Sequence, residues 1–347
     1  MRFIGNKQNL LDFIFSAVQE NKVYVGTFID IFSGTTSVAK YYKSKGFKVI
    51  SNDLLYFSYV FQKAYIENSS VPLFKGLHKD IHEPTLISVL SYLNCCQNGK
   101  EGFIYKNFTL EGTKTSQFQR NFFSEDNAKK IDAIRDTIEQ WYSKKLLTEN
   151  EYFVLISSLL EAVPYVSNIA GTYGAFLKND DPRKFKLLEL KIPMLLVDKS
   201  KHCAHNLDGN TLIENIKGDV LYVDPPYNER QYAANYHILE HIAVWDKKII
   251  ENKTGLRNYE MQKSNYCKKN MVYKVTADLI DKAINRANVK HVLFSYNSEG
   301  LLTKDELLDI HKQYGKVTLY EKPYQRYNSH KNGNKVISEY LTYLKVK

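Results

Sequence analysis

A chain of 347 residues can bury one large α/β core or a core with a smaller insertion, and its pattern changes favour the second. With 44% apolar and 13% aromatic residues it is too hydrophobic to stay disordered, and a net charge of +10 suits a polyanionic partner without identifying one. No run approaches the ~20 uncharged apolar residues that span a bilayer, so a soluble, cytoplasmic protein without membrane contact is expected.

The first strong pattern is the apolar run VYVGTFIDI over residues 23–31, with Phe32 after it. It ends in the turn Ser33-Gly34-Thr35-Thr36 and passes into SVAKYYKSKG at helical spacing. A second strand is predicted over Phe47–Asp53, ending on an acid about 20 residues after the turn, which completes a βαβ unit. From about residue 72 to 205 strand signals fade. Two long helical patterns stand out there, NAKKIDAIRDTIEQWYSKKLL and ENEYFVLISSLLEAV. Strand character returns at Asp219–Val223 and Val289–Tyr296, then at Lys316–Tyr320 and Glu339–Leu344, the last two fitting an antiparallel hairpin. An alternating α/β text broken by a helical block implies a mostly parallel sheet with an inserted domain, bounded at 1–74 and 206–347 for the sheet and 75–205 for the insertion. The four cysteines, Cys95, Cys96, Cys203 and Cys267, form no C-x-x-C pair and read as free thiols of a reducing compartment.

The sharpest chemical signal is Asp224-Pro225-Pro226-Tyr227, directly after the strand GDVLYV. Ligands of open α/β sheets collect at the carboxyl ends of strands. Two successive prolines remove backbone donors and hold the chain extended, so the loop offers a carboxylate, a backbone carbonyl and an aromatic face in fixed relation. Methylation of an aromatic amine calls for such groups, because its lone pair is delocalised into the ring. The Asp224 carboxylate and the Pro225 carbonyl can accept its two hydrogens while Tyr227 stacks on the purine. The blander alternative is a rigid turn followed by a packed tyrosine. The turn Asp30-Ile31-Phe32-Ser33-Gly34-Thr35-Thr36 presents helix N-terminal amides to a carboxylate or a phosphate, and lacks both the G-x-G-x-x-G and the Walker spacing. Asp53 stands where an acid accepts ribose hydroxyls, and an N-cap is the other reading.

These segments together resemble the amino-methyltransferases of the DNA adenine-specific (N6) family, in particular the type II restriction-modification methylases similar to the FokI methylase. Arg2-Phe3-Ile4-Gly5-Asn6-Lys7 resembles the family's amino-terminal motif, with Lys7 the residue expected to hold the methionine moiety. Asp30 to Thr36 resembles its cofactor loop and Asp53 its ribose-binding acid. Asp208, in Asn206-Leu207-Asp208-Gly209-Asn210, matches the acid that contacts the cofactor adenine, with Asp219 the competing choice. The order of motifs, cofactor first and catalytic after a long insertion, resembles the alpha arrangement with target recognition between.

The resemblance implies a Rossmann-like S-adenosylmethionine-dependent fold, mostly parallel with an antiparallel carboxyl-terminal hairpin, carrying an inserted and mainly helical target-recognition domain. It implies methyl transfer to the exocyclic amine of adenine flipped out of double-stranded DNA, with no metal required. A cognate restriction endonuclease acting on the same site is the expected partner, and a monomer the default state. Arg120, Asn121, Asn168 and Arg230 are the expected DNA-binding side chains, against the alternative of ordinary surface and core. Ser167–Gly174 and Asn228–His237 resemble segments of the same relatives, and His237 reads as a packed or capping residue rather than a base. The cofactor loop departs from the family's F-x-G-x-G in carrying Ser33, Thr35 and Thr36. The rival readings are an adenine methylase of structured RNA and a DNA-binding specificity protein that has lost catalysis.

Overall fold

Seven strands make one sheet among the residues described by the computed structural model, which are 3–95, 99–250, 252–325 and 336–347. They are β1 (Thr27–Asp30), β2 (Lys48–Asn52), β3 (Cys203–His205), β4 (Val220–Val223), β5 (His291–Asn297), β6 (Gly315–Gln325) and β7 (Val336–Val346). Arg2 and Cys96 lie outside the described residues. The order is β3-β2-β1-β4-β5-β7-β6, with the first five strands parallel and β7 antiparallel to both β5 and β6. This is the expected mostly parallel sheet with an antiparallel carboxyl-terminal pair. Central β4 is buried at every residue, as a parallel strand covered on both faces requires. Ile29, Ile31, Leu221, Val223, Val292 and Phe294 form a common apolar core with Leu279 and Ile280 of the helix Val272–Asn285. Aromatic packing adds to the burial, with Phe28 stacked on Tyr42 and edge-on to Phe47.

The chain winds outward from β1 to β2 and β3 on one side, and from β4 to β5 on the other. The neighbouring carboxyl ends of β1 and β4 are therefore the topological switch point of the sheet, where open α/β folds collect ligands.

The chain divides into two compact units. The sheet unit comprises Gly5–Gln62, Lys199–Tyr232 and Glu260–Lys347, and the helical unit Met1–Ile4, Lys63–Asp198 and Ala233–Tyr259. These divisions differ from the sequence expectation of 74/75 and 205/206. The helix Tyr56–Gln62 continues into a π-helical turn, Lys63–Glu67, without a change of composition that would mark a border. At the other end β3 belongs to the sheet, although three residues without an apolar run gave no strand signal.

The helical unit contains the helices Leu86–Asn94, Phe103–Phe108, Glu125–Ser143, Glu149–Ala162 and His237–Val244. Ser124 caps Glu125–Ser143, and Thr148 with Glu151 forms a capping box on Glu149–Ala162. No described helix is long and apolar enough to cross a membrane. Arg135, fully buried on Glu125–Ser143, ties three helices together. Its guanidinium donates to the carbonyls of Ile242 and Ala243 (2.8 and 3.3 Å) and to the Tyr152 hydroxyl (2.9 Å), and pairs with Glu139 at 2.7 Å. Arg135→Met is expected to destabilise the protein by about 2–4 kcal/mol, because two carbonyls and a hydroxyl lose their donor in the interior. A urea midpoint indistinguishable from wild type would contradict that role.

Candidate active site

Two left-handed backbone positions shape the turn after β1, Gly34 at φ +49° and Thr36 at φ +63°. Glycine takes such a conformation freely, whereas a β-branched residue in it costs about 1–3 kcal/mol and persists only where its surroundings fix it. Thr36 is fully buried, and its amide donates to the Ser33 carbonyl at 2.7 Å. Around it, Ser33 N donates to Asn52 O (2.8 Å) and Ser33 Oγ to Asp30 O (2.9 Å). Asn6 holds the far side. Its Nδ2 donates to Thr35 Oγ1 at 3.2 Å and its Oδ1 accepts from Ser37 Oγ at 3.1 Å. The amino-terminal motif and the turn are thus one assembly, with Asn6 as the clasp that sequence reasoning did not single out.

Asp53 follows β2 and receives amides on both oxygens, Gly34 N at 2.8 Å and Leu55 N at 2.9 Å. An ionised carboxylate offers about four lone-pair directions, so it remains able to accept hydroxyls. Phe32 meets Tyr266 edge-on at 5.0 Å, and a Cβ on Gly209 would come within 3.1 Å of Ile31 Cγ1 and 3.6 Å of Phe32 Cζ. That close approach sets Asp208 at the carboxyl end of β3. Asp208 is exposed and caps the short helix Gly209–Leu212 through Thr211 N at 3.1 Å. Asp219 lies at the opposite end of the sheet: it precedes β4, and its Oδ2 accepts from Thr27 N at 2.8 Å. Five residues of extended strand put it roughly 15 Å from Asp224, so its geometry is that of a brace at the amino ends of β1 and β4.

At the carboxyl end of β4, Lys7 Nζ donates to Tyr227 OH at 2.7 Å, and Tyr227 OH donates to Asp224 Oδ1 at 2.6 Å. Lys7 Nζ stands 3.3 Å from the same Asp224 oxygen and 3.6 Å from Glu339 Oε2. In this structure the charge of Lys7 is directed into the Asp224-Pro225-Pro226-Tyr227 motif. Burial raises the pKa of Asp224 against the opposing pull of Lys7 and the Tyr227 hydroxyl. Glu339 on β7, which the sequence marks only as the start of a strand, is raised by burial as well and by its proximity to Asp224. Asp30 is lifted furthest from the ordinary carboxylate range, first by burial and then by Asp224, and its Oδ1 has no hydrogen-bond partner. Arg230, just beyond the motif, is exposed, with its carbonyl accepting from Cys267 Sγ at 3.5 Å.

Three other expected DNA contacts are interior groups of the helical unit. Arg120 is 3% exposed and spends its guanidinium on the carbonyls of Asn107 and Asn252. Asn121 donates to Asp180 Oδ1 at 2.9 Å and accepts from Lys184. Asn168 donates to the carbonyls of Asn121 and Leu177 and accepts from Asp181 N at 2.9 Å, closing the loop between them. In this structure these side chains are buried and hold loops in shape, unlike the surface groups expected to meet DNA. His237 is buried with its ring nitrogens against Ala234 O (3.0 Å) and Thr254 O (2.9 Å), and burial lowers its pKa. The packed, capping reading fits that environment. Ser167 and Tyr173 share a 2.9 Å hydroxyl contact inside the same unit, and Tyr173 N donates to Asn235 O at 2.7 Å.

Residues 3–298 match the model of the D12 class N6 adenine-specific DNA methyltransferases. The chain belongs to that family. It is 43% identical to "Type II methyltransferase M.FokI" of Planomicrobium okeanokoites, over 99% of this chain and 52% of that protein. Against "Modification methylase StsI" of Streptococcus sanguinis the identity is 39%, over 100% of this chain and 52% of the relative. "Type II methyltransferase M.NlaIII" of Neisseria lactamica is 37% identical, over 96% of this chain and 95% of its own length. The chain thus spans about half the length of the first two relatives. No solved structure matches it.

The buried acids give this site a pH signature. Asp30 has a folded-state pKa above its unfolded value, so the folded protein binds more protons there, and stability falls as pH rises from about 4 through the folded value. Asp30→Asn removes that proton linkage while keeping the shape. The variant is expected to be more stable than wild type at neutral pH, with the difference vanishing below about pH 4. Paired urea melts at the two pH values check this; a difference that does not change with pH would refute it.

Proposed function

We propose that this protein transfers a methyl group from S-adenosylmethionine to the exocyclic amino nitrogen of an adenine flipped out of duplex DNA. The observation that carries the reading is the placement of Asp224, with its neighbouring Pro225 carbonyl and Tyr227, at the carboxyl end of β4 beside β1 in an N6 adenine-specific family. An exocyclic amine needs acceptors for its hydrogens before its nitrogen can attack. The Asp224 carboxylate and the Pro225 carbonyl are acceptors of that kind, held in fixed relation by two prolines. Tyr227 OH and the Lys7 ammonium both meet Asp224 at Oδ1, which leaves Oδ2 as the oxygen to accept from the amine, and the Tyr227 ring offers a stacking face for the base.

The residues of the site fit the methyl donor. Asp30 Oδ1 is a buried acceptor without a partner, suited to the donor's amino group, and the turn that ends at Thr36 follows directly after it. Phe32, Ser33, Gly34 and Thr35 complete that turn, Asp53 would take the ribose hydroxyls and Asp208 the adenine. When bound, the donor supplies a methyl group on a sulfonium, an excellent leaving group, so no covalent enzyme intermediate is needed. As the nitrogen gains positive charge, the Asp224 carboxylate faces it, and the raised proton affinity of Asp224 suits an oxygen that receives the departing proton.

The helical unit is proposed as the target-recognition part, with Arg120, Asn121 and Asn168 shaping its loops and Arg230 offering an exposed cation for a phosphate. The names of the relatives support a place in a restriction-modification system, beside a cognate endonuclease that cuts the same site. The test is transfer of tritiated methyl to unmethylated duplex DNA, followed by nucleoside analysis. Label is expected in N6-methyldeoxyadenosine, falling at least about 10²-fold in Asp224→Ala, with cofactor binding retained. Label in RNA alone, or none despite cofactor binding, would overturn the proposal.

A further inference from the structure

A buried lysine stands between two carboxyl groups, and with both ionised the cluster carries a surplus negative charge. Lys7 is 5% exposed and Glu339 5%, and the ammonium stands 3.3 Å from Asp224 Oδ1 and 3.6 Å from Glu339 Oε2. The second distance lies just beyond hydrogen-bond length, and Glu339 Oε2 is buried without a hydrogen-bond partner. For stability alone this is a poor arrangement. Lys7 and Asp224 would already balance each other, and a second ionised acid adds a desolvation cost with little return. Groups held against stability in this way concentrate where chemistry needs them.

The need follows from the proposed reaction, on which this inference rests. An amine under methylation develops positive charge on nitrogen, and an uncompensated carboxylate beside it stabilises that charge. Lys7 works against this, since its ammonium shares Asp224 Oδ1 with the hydroxyl of Tyr227. Glu339 supplies the opposing charge from the other side. It sits on β7 opposite Asn297 of β5 and Lys322 of β6, in a register that fixes its backbone from both neighbours.

We propose that Glu339 is a positioning residue of the methyl-transfer site, the counter-charge that keeps Lys7 from neutralising Asp224. The groups that act on it are Lys7 and Asp224, Tyr222 on β4, Tyr227 after it and Asn297 on β5. With Glu339→Gln, the ammonium of Lys7 loses its second carboxylate and is drawn toward Asp224. The Asp224 carboxylate then loses a like-charged neighbour and becomes easier to ionise.

The experiment measures single-turnover methyl transfer to duplex DNA from pH 4.5 to 9 for wild type, Glu339→Gln and Glu339→Asp, alongside equilibrium binding of the methyl donor. In Glu339→Gln the rate at neutral pH is expected to fall on the order of ten- to a hundredfold, with donor affinity kept. The pH at which activity is lost on the acid side should move down. Glu339→Asp, which retains the charge, should keep the wild-type acid limb and recover part of the rate. A Gln variant with wild-type rate and acid limb overturns the inference. So does an Asp variant as slow and as shifted as Gln; if Gln fails to fold, Asp is compared with wild type alone, and an acid limb displaced from the wild-type position overturns the inference. Absence of transfer by the wild type would instead strike the methyltransferase reading, and this inference with it.

Discussion

The parallel pairing of β1 with β4 is the constraint on which the site depends. Its register sets Ile29 against Leu221 and Asp30 against Tyr222, so β1 ends on an acid just where β4 is about to deliver Asp224. Two carboxylates that would repel each other in water are forced together by a ladder of backbone hydrogen bonds and a continuous apolar core. Their like charge is one of the reasons for the high proton affinity of Asp30. The sheet therefore stores an electrostatic cost at its switch point, offset by the burial of Ile29, Leu221, Val223 and their neighbours.

Much of this was legible because it follows from short-range pattern. The βαβ unit announces itself through an apolar run, a glycine-containing turn and a helical period, and Asp224-Pro225-Pro226-Tyr227 through a strand that stops on an acid and two prolines. The carboxyl-terminal pair was legible from its alternation. Strand β3 was not, because Cys203-Ala204-His205 is too short to show a period and owes its state to pairing with β2. The borders of the helical unit were hidden for a related reason: residues 233–259 join it through contacts such as Arg135 with the carbonyls of Ile242 and Ala243, and long-range hydrogen bonds have no local period.

Arg120, Asn121 and Asn168 illustrate a different limit. Guanidinium and amide groups recognise phosphates and base edges with the same donors and acceptors that satisfy buried loop carbonyls. Composition cannot separate these uses; solvent exposure does. Arg120, expected at a DNA surface, donates to the carbonyls of Asn107 and Asn252, whereas Arg230 remains at the surface just after the Asp224 motif.

Lys7 and Glu339 come from opposite ends of the chain, and neither can be paired with Asp224 by any spacing rule. Their meeting requires the sheet to be complete, since β7 must insert between β5 and β6 before residue 339 reaches its place. Asn6 then fastens the amino-terminal motif to the turn at Thr35 and Ser37, which brings Lys7 to Tyr227 and Asp224. The geometry around Asp224 is consequently tied to completion of the sheet. A chain that has formed β1 and β4 but not docked β7 holds the two acids at the switch point without the full set of charges around them. The charges gathered around Asp224 come together only in the finished fold, and in the proposed reaction they are in place before any base arrives.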